Sequence, residues 1–254
     1  MTARRLVGLG GGPRELVLVR HGESLGNLAD AKARDEGADR LDLDDRDADV
    51  ALSEAGKQQA RAVARWLSES GEVPTLVVSS PYARALATAV EVCSGLDIEV
   101  TLDERLRERD LGVLNGLTGQ GIRAEHADEA ARSDRLGKFY YQPPSGESWA
   151  DVVLRVRSLL QDLRAGYHDD RVWLFAHQAV IMSFRYVLDS LTEEELLQID
   201  RTVPVPNCSL TTYRRQDGGL VLVRFADTSI LDRSEAADTT RETPQSGQTG
   251  NANA

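Results

Sequence analysis

The chain has 254 residues, 41% of them hydrophobic, and a formal charge of −11. That length suits one α/β domain with peripheral loops, and the acidity argues against a nucleic-acid partner, which demands a basic face. No apolar run is long enough to span a bilayer, and Cys93 and Cys208 are unclustered, which excludes a disulfide framework or a thiolate metal site; a cytoplasmic protein without a membrane partner is expected.

Residues 1–14 read as a flexible leader, with basic residues but without the apolar stretch of a signal peptide. Its glycines, Gly8 and Gly10 to Gly12, do not make a dinucleotide loop. The third glycine that motif requires falls on Pro13, and no strand precedes it. Residues 16–19 read as a buried strand. The acidic run 42–49 fails as a calcium loop, because counting from Asp45 puts Val50 at the turn glycine and Gly56 at the closing glutamate. It reads as a solvated surface loop. A helix is expected over 53–70, with Ser53 as N-cap and Ala60, Val63, Ala64 and Leu67 along one face. A strand over 76–78 and a helix over 82–93 follow. Residues 151–163 carry Val152, Val153, Val156, Leu159, Leu160 and Leu163 at helical spacing. A strand over 172–175 and a helix over 180–188 come next. Strands over 209–213 and 220–225 flank Gln216-Asp217-Gly218-Gly219 as a hairpin. His126 and His168 read as surface residues, and Trp66, Trp149 and Trp173 as core. Residues 233–254 hold almost nothing to bury and read as a disordered tail. The strand–helix alternation predicts one α/β domain over 15–232, with a mainly parallel sheet covered by helices on both faces.

In such sheets the ligand site lies beyond the carboxyl ends of the strands. The residues directly after the three buried strands are Arg20-His21-Gly22, Ser79-Ser80-Pro81 leading to Arg84, and Ala176-His177-Gln178. Two histidines and two arginines therefore converge from separate segments on one sheet edge. A hydrogen-bonded structural histidine explains either one alone, but not the set. The set suits phosphoryl transfer. An arginine fork holds phosphate oxygens with two parallel hydrogen bonds, and neutral imidazole supplies a lone pair near pH 7. Gly22 allows a tight turn that turns backbone N–H groups to the anion. The departing alkoxide needs a protonated carboxylic acid.

Leu18-Val19-Arg20-His21-Gly22-Glu23-Ser24 with Asn27 resembles the signature of the histidine phosphatase superfamily, which includes phosphoglycerate mutase. Leu52-Ser53-Glu54-Ala55-Gly56, Ser79-Ser80-Pro81-Tyr82-Ala83-Arg84, Leu106-Arg107-Glu108-Arg109-Asp110, Ser145-Gly146-Glu147-Ser148 and Phe175-Ala176-His177 continue the resemblance in family order over roughly residues 15–230. The resemblance implies a phosphoglycerate mutase-like fold and a phosphohistidine on His21. It further implies that Arg20, Arg84 and His177 hold the phosphoryl oxygens, that Asn27 is an additional donor, and that Glu108 serves as proton donor and later as base. Gly22 and Ser24 join the substrate-binding set. Gln178 stands where the family usually has glycine; His177-Gln178-Ala179-Val180, with Tyr140 and Tyr141, is similar to fructose-2,6-bisphosphatases. Glu108 lies between Arg107 and Arg109, so to act as an acid it must face the pocket while those arginines point elsewhere or are engaged by other carboxylates.

The implied activity is a metal-free, cofactor-free phosphomonoester hydrolase acting on a small phosphorylated substrate. A mutase is the alternative, but residues 116–142 hold Arg123, Arg132, Arg135 and Lys138 scattered, without the adjacent basic pair that grips a substrate carboxylate. Gly22-Glu23-Ser24-Leu25-Gly26 also fits a serine-esterase elbow on Ser24, which leaves Arg20, Arg84 and His21 without a task. A non-catalytic phospho-ligand binder leaves His21 and Glu108 without one. A homodimer is compatible with the sequence and not readable from it.

Overall fold

The computed structural model describes residues 12–232. The six strands are β1 (Glu15–Arg20), β2 (Leu76–Ser79), β3 (Val100–Leu102), β4 (Arg171–Ala176), β5 (Leu210–Gln216) and β6 (Gly219–Asp227). They form one sheet in the order β3-β2-β4-β1-β5-β6, parallel from β3 to β1 and antiparallel at β5 and β6. The expected mainly parallel α/β architecture is what the chain adopts.

Period-two alternation sorts the central strands between two layers. Leu16 and Leu18 of β1 and Val172, Leu174 and Ala176 of β4 join one core; Val17, Val19, Trp173 and Phe175 join the other. The first core is closed by the helices α6 (Trp149–Gly166), α7 (Gln178–Leu188) and α8 (Glu193–Thr202), and the second by α2 (Glu54–Ser70), α3 (Ala83–Val92) and α9 (Ser229–Asp232). The remaining helices, α1 (Leu25–Asp35), α4 (Gly119–Glu125) and α5 (Ala127–Leu136), lie outside these two layers.

Helix starts follow their caps. Ser53 accepts from Gly56 N and Ser148 forms a reciprocal box with Asp151. The hairpin turn at Asp217-Gly218 has positive φ at both residues, 47° and 85°, the twist that matches a two-residue hairpin. The helices α1, α4, α5 and α8 and the strand β3 go beyond the sequence reading. Apart from Leu196 of α8, they contribute no fully buried residue to the two main cores; Leu197 and Ile199 of α8 and Val100 of β3 pack against them only partly buried, so their apolar periodicity is weak.

Residues 12–14, assigned to the leader by sequence, pack against the domain. Gly12 and Pro13 are buried, and the Gly12 and Arg14 carbonyls accept hydrogen bonds from Arg215. Residues 1–11 of that leader and the tail 233–254 lie outside the described residues. Among the described residues no helix is long and apolar enough to cross a membrane.

Candidate active site

The chain leaves β1 through His21, which is held from several sides. Its N–H donates to Ala176 O at 3.0 Å; its carbonyl accepts from Asn207 Nδ2 at 3.0 Å and Cys208 N at 3.2 Å. Its ring Nδ1 lies 2.7 Å from Gly22 O. A carbonyl can only accept, so Nδ1 carries the proton and the lone pair stands on Nε2. Burial, and then the charges of Arg84 and Arg20, hold the His21 pKa well below its usual 6.5. The imidazole is therefore neutral and in one tautomer.

His177 caps α7 with its ring 5.1 Å from that of His21, its Nε2 2.9 Å from Ser80 Oγ and the Tyr82 ring edge-on at 5.3 Å. Burial first, then Arg84, His21 and Arg20, push its pKa down as well. Its Nδ1 has no hydrogen-bond partner among the described residues. Arg20 is 1% exposed and donates through Nη1 to Val205 O at 2.6 Å. Arg20 and His177 are buried beside His21 and do not form the wall of the open cavity.

That cavity, about 360 Å³, is of small-molecule size. His21, Ser24, Arg84, Glu108 and Gln178 line it, as do Arg109, Lys138, Trp149 and Asp200. Arg84 meets the acidic loop: its Nη1 lies 3.0 Å from Asp47 Oδ1 and also donates to the Asp47 carbonyl. Asp47 thus occupies a guanidinium edge that a phosphate would use. Glu108 accepts Arg109 N through Oε1 at 2.8 Å. Arg107 turns away onto Glu147 Oε1 at 2.6 Å, as the acid role requires, but Arg109 lines the same cavity.

Besides Arg20 and His177, four residues assigned to substrate do not line the cavity. Gly22 N donates to Thr88 Oγ1 at 3.0 Å, so it is not turned to an anion. Glycine is required there for packing: a Cβ on Gly22 would stand 2.6 Å from Gly56 O, and one on Gly56 2.0 Å from Glu23 O. Asn27 is buried under the start of α1, its Oδ1 taking Ser24 N at 3.0 Å and Asn207 Nδ2 at 3.2 Å. Tyr140 is 56% exposed and donates to Glu193, and Tyr141 donates to Glu129 Oε2 at 2.8 Å. Tyr141 is buried in a small cluster with Leu114 and Leu117 and gives its hydroxyl to the largely buried Glu129, whereas Tyr140 stands exposed. The Ser24 hydroxyl donates to Asn27 Oδ1 at 3.1 Å, and no histidine meets it among the described hydrogen bonds, so the esterase alternative lacks its base.

Several organising residues escape the sequence reading. Asn207 and Cys208, the latter at φ 53°, clamp the backbone at Arg20 and His21. Burial pushes the Cys208 thiol up to about 12, which keeps it inert. Glu147 takes Arg107, Arg155 and Asp110 N together, holding the Glu108 loop against α6. Its place in the Gly146-Glu147 block was a signal; Asn207 carries none. Among the described residues no three of His, Cys, Asp or Glu converge as a metal site.

The chain belongs to the histidine phosphatase superfamily (branch 1), whose family model matches residues 16–228. It is 34% identical over 202 residues to the 2,3-bisphosphoglycerate-dependent phosphoglycerate mutase of Methylobacterium radiotolerans, covering 76% of this chain and 88% of the mutase. It is 30% identical over 236 residues to the 6-phosphofructo-2-kinase/fructose-2,6-bisphosphatase of Gallus gallus, covering 92% of this chain and 43% of that protein. The chain spans about half the length of other curated relatives it matches. Among solved structures, a mycobacterial glucosyl-3-phosphoglycerate phosphatase superposes with a TM-score of 0.68 at 30% identity, over 85% of this chain and 100% of that one.

Proposed function

We propose that the protein hydrolyses small phosphomonoesters through a phosphohistidine on His21, with Glu108 as proton donor and no metal ion. His21 Nε2 bonds to phosphorus as the P–O bond to the leaving group breaks. The departing oxygen takes the Glu108 proton, so the products of this step are an alcohol, a carboxylate and phosphohistidine. Arg20 and Arg84 balance the charge of the phosphoryl oxygens, and neutral His177 offers them a ring N–H. Water then attacks phosphorus, gives its proton to Glu108, breaks the P–N bond and leaves inorganic phosphate and neutral His21.

One observation carries this reading. The 2.7 Å contact between Nδ1 and Gly22 O, with burial holding the ring neutral, leaves His21 a lone pair on Nε2. Hydrolysis is preferred over transfer to a second substrate because, of the four basic residues in 116–142, Arg123, Arg132 and Arg135 are absent from the cavity wall and Lys138, which reaches it, is paired with Asp200. Mixing with a labelled monoester and quenching in base leaves label on His21, since phosphohistidine survives alkali, and activity survives exhaustive chelation. Label on another residue, or loss of activity restored by magnesium, rejects the mechanism. Transfer to added glycerate in place of free phosphate makes the protein a mutase.

A further inference from the structure

The cavity wall holds a carboxylate with no part in the chemistry above. Asp200, in the last turns of α8, is 2% exposed and lines the cavity. A buried carboxylate persists only when paired. Its Oδ2 takes Lys138 Nζ at 2.9 Å and its Oδ1 takes Gln178 Nε2 at 3.2 Å. Because a carboxylate only accepts, the Gln178 amide must turn its NH2 to Asp200, and its Oε1 is buried with no hydrogen-bond partner among the described residues.

The wall is balanced in charge. Lys138 is neutralised by Asp200 and stands 5.7 Å over the Trp149 ring. The other lining cations also have acids beside them: Arg109 faces the charges of Glu108 and Asp200, Arg34 lies 2.8 Å from Asp30 and Arg84 lies 3.0 Å from Asp47. A second phosphate or a carboxylate needs a cation to offset its charge, and here Asp200 holds Lys138 and adds its own negative charge to the wall.

We infer that this wall selects a neutral leaving group, and that Asp200 is the specificity-determining residue that rejects a second anionic group. The inference rests on the phosphatase reading. Discrimination of this kind comes from a built-in repulsive element, not only from added attraction.

Glycerol 3-phosphate and 3-phosphoglycerate test it, because they differ only in a hydroxymethyl against a carboxylate. With the full chain, kcat/KM for the glycerol ester should exceed that for the glycerate by about tenfold or more. In Asp200→Asn, which releases Lys138, that ratio falls to about unity or inverts; in Asp200→Glu, which keeps the charge, the preference remains. Equal or faster hydrolysis of 3-phosphoglycerate by the wild type overturns the inference, and that measurement stands even if a variant does not fold. An Asp200→Asn ratio equal to the wild type also overturns it. 4-Nitrophenyl phosphate, assayed alongside, reports phosphoryl transfer with no second anionic group. If it too is not hydrolysed, the phosphatase reading has failed, and this inference falls with it.

Discussion

Glu108 illustrates how much a single carboxyl depends on its neighbours. Its flanking arginines would favour the charged form and spoil an acid. Arg107 is removed from that influence by Glu147, which also accepts Arg155 Nε at 3.1 Å. Arg109 remains in the cavity beside Glu108, and burial pulls its own pKa down. The doubly charged substrate phosphate then favours the protonated acid, since like charges at close range disfavour ionisation. Glu108→Gln should therefore lose roughly 10²–10⁴-fold in kcat on an alkyl phosphate, the usual worth of general acid catalysis. On 4-nitrophenyl phosphate, whose phenolate departs unaided, the loss should be far smaller. Steady-state rates on the two esters decide the matter, and equal losses would remove Glu108 from the acid role. The residue type and its place before the cavity were legible from the motif. The disposal of Arg107 was not, because Glu147 is forty positions away.

At the scale of elements, the site depends on a seam between the turn after β1 and the first turn of α2. Gly22 and Gly56 bring two backbones together where neither tolerates a Cβ. The Ser53 hydroxyl locks the seam by donating to Glu23 Oε1 at 2.6 Å, and Gln59 accepts Glu23 N at 2.9 Å. The block Leu52-Ser53-Glu54-Ala55-Gly56 therefore matters because it seats α2 under His21. Gly56→Ala should destabilise the protein by about 2 kcal/mol or more, the range for overpacking against backbone that cannot yield. It should also slow 4-nitrophenyl phosphate turnover, because Glu23 lies two residues from His21, the proposed nucleophile. Urea midpoints and turnover measured together test this; a variant that matches the wild type in both would show that the seam can relax.

At the scale of the molecule, burial of two neutral histidines beside two arginines makes stability depend on pH. Folding depresses the pKa of both His21 and His177 below 6.5. Below that value the unfolded chain binds protons that the native state refuses. Stability therefore holds above about pH 6.5 and declines as pH falls toward the folded-state values, by about 1.4 kcal/mol per pH unit for each histidine. Denaturant unfolding at pH 7, 6 and 5 measures the slope, and His177→Gln should make it shallower. An unchanged slope in that variant would mean that His177 is not held neutral by the fold.

What the sequence determined by itself is what local pattern and short motifs encode. Short apolar runs at 16–19, 76–78 and 172–175, read as buried strands, and the faces of the long helices placed Arg20, His21, Arg84 and His177 at one sheet edge, because parallel strands deliver the residues that follow them to the same edge. The Asp217-Gly218 turn followed from its φ requirements. The tertiary structure alone decided which side chains line the cavity. Tyr140, Tyr141, Asn27 and the Gly22 amide are adjacent to the site in sequence, yet each is satisfied elsewhere. Asp47, Lys138 and Asp200 reach the cavity from distant loops and helix ends, and Asn207 reaches the backbone beneath it. These are pairings of charge and hydrogen-bond valence across long sequence separation, and such pairings exist only once the chain has closed around them.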